Sequence, residues 1–142
     1  METKIYSSSG FVHQCSTEEL YVLTRHWLSD ILFFEQELEF FRSLLQRCFS
    51  PIQKDGVTQI ELIETKFRDL KTHLMLLKEG VNIHQIKLGE ILDEKRISDS
   101  SDFNIIQSRL EGELFDFIKT FRVVKQELFK FNAKCQTSNY NI

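Results

Sequence analysis

Residues 60–91 read IELIETKFRDLKTHLMLLKEGVNIHQIKLGEI, and their spacing decides the fold. Ile60, Ile63, Phe67, Leu70, Leu74, Leu77, Val81, His84, Leu88 and Ile91 recur at alternating steps of three and four. That period lays every one of them on a single stripe of an α-helix, at the a and d positions of a heptad. Only His84 is polar. Gly80 and Gly89 each cost about 1 kcal/mol of helix propensity. The phase holds through both, so the pattern predicts one unbroken helix with no chain reversal at Gly80.

The flanking segments repeat the pattern. Upstream, Ser16-x-x-Glu19 is a capping box that opens a helix. Its d positions take Leu20, Trp27, Phe34, Phe41 and Cys48, and its a positions Thr24, Ile31, Leu38 and Leu45. Pro51 ends it near Phe49, because proline cannot continue a helix and biases the residue before it to extended angles. Asp55-Gly56 marks a turn, and Thr58-x-x-Glu61 reads as the next capping box. Downstream, Ser98 to Asp102 is rich in capping residues. A third helix then places Phe103, Leu110, Phe117, Val124 and Phe131 at d, and Leu114, Phe121, Leu128 and Cys135 at a.

These readings give helices over 16–49, 58–97 and 101–135, joined by short turns. Short turns make neighbouring helices antiparallel. The expected fold is all-α: an elongated antiparallel three-helix bundle of coiled-coil type, running up-down-up, with a dimeric bundle of four or more helices as the runner-up. It resembles three-helix repeats of the spectrin kind, which also carry a tryptophan in the first helix; that likeness concerns architecture and implies no function. Residues 1–15 read as a loose tail, 16–135 as a single domain and 136–142 as a frayed end. If the first hairpin folds about residue 54, facing residues have numbers adding to about 108. Phe34 should then meet Leu74, and Phe41 should meet Phe67. Glu35 with Lys71 and Arg42 with Glu64 become flanking pairs of opposite charge.

Composition narrows the function classes. The chain has 142 residues, 42% hydrophobic and 27% charged, with 13 phenylalanines but only five glycines and one proline. Such a chain can bury a core and is not disordered by composition. A net charge of −3 leaves no electrostatic footprint for nucleic acid or an anionic membrane. Lys119, Arg122, Lys125, Lys130 and Lys134 scatter around the third helix, where cations suit the helix dipole. Cys15, Cys48 and Cys135 match no zinc or redox spacing. With no secretory signal or long apolar run, they suggest free thiols in a cytoplasmic protein.

Little in the chain suggests chemistry. It contains no phosphate loop, nucleophile elbow or dinucleotide fingerprint. His26-x-x-x-Asp30 and Asp69-x-x-x-His73 each share a helix face. The hairpin register separates the two histidines by about 13 Å along the axis, so no shared metal site is expected. Neither a cofactor nor a small-molecule partner is expected.

Two constellations stand out. His84 lies level with Thr24, the one polar residue of the first seam, and the turn near residues 98–101 brings Glu113 to their flank. Thr24, His84 and Glu113 are therefore expected to form a polar layer that fixes register in an apolar core. Phe33, Phe40, Phe115 and Phe129 occupy outer b and c positions and exceed what the seams need, which makes them a candidate interface. The expected function is non-catalytic, acting through helix surfaces with a second copy or another helical protein. The alternative is a ligand- or metal-binding bundle that senses through His84 or a phenylalanine-lined interior.

Overall fold

A computed structural model describes residues 16–49, 54–93 and 100–140. They form three helices: α1 (Thr17–Phe49), α2 (Lys54–Asp93) and α3 (Ser100–Tyr140). No strand occurs among the described residues, and the helix contacts are those of a three-helix bundle. No helix among them is long and apolar enough to cross a membrane.

The capping box of α1 forms as expected. The Glu19 amide donates to Ser16 Oγ at 3.2 Å, and the Ser16 amide donates to Glu19 Oε1 at 3.2 Å. This reciprocal pair satisfies amides that have no acceptor inside the helix. The ends of the other helices depart from the sequence reading. α2 begins at Lys54, so Asp55-Gly56 is helical rather than a turn, and Thr58 and Glu61 lie inside the helix rather than at its cap. One glycine in the first turn costs about 1 kcal/mol, little for a helix held by a long apolar seam. α3 continues to Tyr140, so residues 136–140 extend the helix. Residues 1–15, including Cys15, lie outside the described residues, as do the side chains of Cys48 and Cys135.

α2 runs unbroken through Gly80 and Gly89, as the seam predicts, and Gly80 has a packing reason. A Cβ on Gly80 would meet Leu110 Cδ2 at 3.3 Å, and one on Gly89 would meet Tyr21 Cε2 at 3.4 Å. The missing side chain at Gly80 lets α3 approach, whereas the contact at Gly89 would be an ordinary one.

The described residues pack as two compact units, one within residues 16–32 and 75–116 and the other within residues 33–74 and 117–140. Each takes a segment from all three helices. In the first unit Leu20 and Leu88 are buried together, with Tyr21 and Phe103 packed on them. Leu110 lies against Gly80 and Phe103 against His84, so α2 and α3 run antiparallel. In the second unit Phe34 meets Phe117 and Phe121, and Phe41 meets Phe121 and Phe129, so α1 and α3 run parallel. His73 meets Phe117 and Lys66 pairs with Glu127, so α2 opposes both. The up-down-up order follows. Phe41 and Phe67 pack with ring centroids 6.3 Å apart, in the expected register. The ring of Phe34 packs by its edge on Phe117 and Phe121 of α3.

Gly112 differs from the other two glycines: a Cβ there would meet nothing within 4 Å. Gly112→Ala should therefore stabilise the fold by about 0.5–1 kcal/mol, from helix propensity alone. Gly80→Ala should gain less or lose, because Leu110 must give way. Urea denaturation of the two variants measures the difference.

Candidate functional site

A polar layer exists in the first unit, with one member changed. Thr24 and His84 are buried, as expected. Glu113 is half-exposed and makes no described contact with them. The third member is Gln107, fully buried on α3. Its amide joins all three helices. Gln107 Nε2 donates to Thr24 Oγ1 at 3.2 Å and to the Leu20 carbonyl at 3.4 Å. Thr24 Oγ1 donates back to the Leu20 carbonyl at 2.7 Å. Gln107 Oε1 accepts from His84 Nε2, which makes the imidazole the Nε2–H tautomer. A heptad count that starts from apolar residues passes over Gln107, yet position 107 is the a position one repeat before Leu114. Glu113 is a g position and lies nearly two turns away.

Burial lowers the pKa of His84 below its usual 6.5, ahead of the opposing hydrogen bond from Gln107 and the nearby charges of Lys87 and Arg109. Protonation would add a proton at Nδ1, which is buried without a partner. Glu111 moves oppositely: burial raises its carboxyl from 4.5 to about 7. It sits buried at an e position of α3, and its Oε2 has no hydrogen-bond partner. Trp27 Nε1, Asn104 Oδ1 and Ser108 Oγ are also buried without one. These belong to the first unit; in the second, Glu37 Oε2 is buried without a hydrogen bond, beside Lys125. Buried polar groups are nearly always satisfied, so most of the described exceptions gather in the first unit.

All four candidate interface rings are substantially exposed: Phe33 54%, Phe40 58%, Phe115 43% and Phe129 46%. Two of them come together in the second unit. Phe40 and Phe129 each pack edge-on against Phe41, with centroids 5.3 and 5.6 Å away. Phe33 lies two turns up α1 from Phe40, against Phe34 at 6.0 Å. Phe115 belongs to the first unit. Beside these rings, Lys125 Nζ stands 3.5 Å from Glu37 Oε2 and lies over the Phe41 and Phe121 rings. α2 adds exposed Met75, Leu76, Ile83 and Ile86 in the first unit. The spacing of seven and three from Leu76 to Ile86 signalled that second stripe, but it sits in the shadow of the stronger seam.

His73 packs its ring on Phe117, and His26 is exposed. Among the described residues no three or more His, Cys, Asp or Glu side chains gather where a metal could bind. No protein-family model, curated protein or solved structure matches the chain.

The two shifted groups give stability opposite pH dependences. The neutral His84 contributes in full above pH 6.5, and its contribution is lost as pH falls below that value. Glu111 contributes most below pH 4.5, and its contribution is lost as pH rises through 7. Glu111→Gln should therefore be more stable than the wild type at pH 8, and that advantage should vanish at pH 4. Urea denaturation at the two pH values measures it; equal differences at both would contradict a buried, uncompensated carboxylate.

Proposed function

We propose that this protein is a non-catalytic helical interaction module, acting in the cytoplasm through a coiled-coil-like helix surface. One observation carries the reading. Phe33, Phe40 and Phe129 are about half-exposed on the second unit, and Phe40 and Phe129 share one buried ring beneath them. Burying a phenylalanine is worth about 1.5–3 kcal/mol, so each ring left in water forgoes much of that gain. Contiguous exposed apolar surface of this kind marks contact sites, and aromatic residues are enriched at the centres of interfaces. The outer face of α2 in the same unit contrasts with it. There Glu61, Thr65, Arg68, Asp69 and Thr72 are exposed around one large apolar residue, Leu62.

If the rings serve contact rather than folding, removing them should barely affect the isolated chain. Phe33→Ser and Phe40→Ser should each lose less than about 1 kcal/mol of stability, as surface substitutions do. Phe117→Ala, at a fully buried ring, should lose about 3–5 kcal/mol. Chemical denaturation at low protein concentration makes the comparison. Losses at Phe33 and Phe40 equal to that at Phe117 would make the rings part of the core and end the interaction reading.

A further inference from the structure

The phenylalanine surface has two unlike edges, and their difference points to an occupant. On α1, Phe33 and Phe40 are c positions with Glu37 between them at g. On α3, Phe129 and Arg122 are b positions with Lys125 between them at e. The g side of α1 faces the e side of α3, as the approach of Glu37 to Lys125 shows. The α1 edge therefore carries an acid between two rings, and the α3 edge carries cations beside one ring. Arg122 is exposed and has no partner among the described residues.

The heights match as well. Phe34 meets Phe117 and Phe121, Glu37 meets Lys125, and Phe41 meets Phe121 and Phe129. Residues of α3 at a given height are thus numbered about 85 beyond those of α1. Arg122 stands level with Glu37, midway between the heights of Phe33 and Phe40. Lys125 already stands beside one oxygen of the Glu37 carboxylate, so a partner that covers this face needs an acid opposite Arg122 and can add a second cation at the exposed part of Glu37, at one height. The chain's own face meets that description when turned over about a two-fold axis parallel to the helices, because this operation sets α1 of one copy against α3 of the other without an axial shift. A two-fold axis across the helices would instead set α1 on α1 and acid on acid.

Resting on the reading of this face as a contact surface, we infer that a second copy of this chain occupies it, with Arg122 of each copy set over Phe33, Glu37 and Phe40 of the other. The guanidinium is suited to both contacts, since it stacks on aromatic rings and pairs with carboxylates. The contact is isologous, as closed dimers require, so each pairing occurs twice. The α1 part of the unit, residues 33–49, is about 25 Å long at 1.5 Å per residue, and two packed helices are about 20 Å across. The face therefore covers about 500 Å², in the range of smaller specific interfaces and of micromolar rather than nanomolar binding.

The test is the mass of the full-length chain in solution, by light scattering at 100 μM, with helicity followed by circular dichroism. The wild type should be dimeric. Arg122→Glu and Glu37→Arg should each weaken the dimer at least tenfold, by placing like charges together. An equimolar mixture of the two variants should recover it, because both pairings across the mixed dimer are then of opposite sign. Phe40→Glu keeps the test decisive should Glu37→Arg perturb the fold, and it should be monomeric and helical. A monomeric wild type overturns the proposal, as does a mixture that fails to reassociate or an Arg122→Glu variant that dimerises as before. A monomeric wild type whose stability survives Phe33→Ser and Phe40→Ser loses the second copy but keeps the contact surface for a different protein. Lost stability in those variants removes the surface itself.

Discussion

The side-chain amide of Gln107 must be satisfied inside an apolar seam, and the way it is satisfied holds the first unit in register. Its nitrogen reaches α1 at Thr24 and the Leu20 carbonyl, and its oxygen takes the Nε2 proton of His84 on α2. Leucine layers tolerate a slip of one heptad, because one leucine packs much like the next. A polar layer does not. Sliding α3 would leave the imidazole and the amide buried without partners, and each unsatisfied group costs about 1–3 kcal/mol. One buried polar contact thus converts a repetitive apolar pattern into a single alignment, as a buried asparagine does in simple coiled coils. The alignment places Leu20 on Leu88 and leaves space at Gly80 for Leu110.

The second unit reaches its register by other means. Aromatic rings replace the polar layer: Phe41 meets Phe67, Phe121 and Phe129, and Phe34 meets Phe117 and Phe121. Large rings interlock by shape: Phe34 meets Phe117 and Phe121, and Phe41 meets Phe129, in edge-to-face contacts that a shift of one turn would break. Lys66 with Glu127, and Lys125 with Glu37, add ion pairs at partly exposed positions, where each contributes at most about 1 kcal/mol. Lys125 also covers the Phe41 and Phe121 rings, so its aliphatic stem and charge shield rings that would otherwise face water. The same excess of phenylalanine that interlocks this unit leaves Phe33, Phe40 and Phe129 at its surface.

The helices and their pairing were legible in the sequence because heptad spacing is a direct record of which side faces the core. The seam through Gly80 to His84 and the match of Phe41 with Phe67 both follow from counting. The start of α2 was less legible, because Asp55-Gly56 suits a turn and a helix's first turn almost equally. Gln107 was hidden for a different reason. A search for apolar periodicity passes over a polar a position such as Gln107 and turns to Glu113, which is half-exposed at g on the flank of the seam. Glu111 was obscured because its identity suggests a solvated face. Its burial comes from how the helices pack around it, and the sequence of α3 alone does not contain that information.

The structure rests on a register in which α1 and α2 residues with numbers near 108 in sum face one another. Nuclear Overhauser contacts between assigned side chains measure it directly. Contacts are expected between the methyl groups of Leu20 and Leu88, between the rings of Phe41 and Phe67, and from the Thr24 methyl to the His84 ring. Contacts displaced by one heptad, such as Leu20 with Val81 or Phe41 with Leu74, would contradict it.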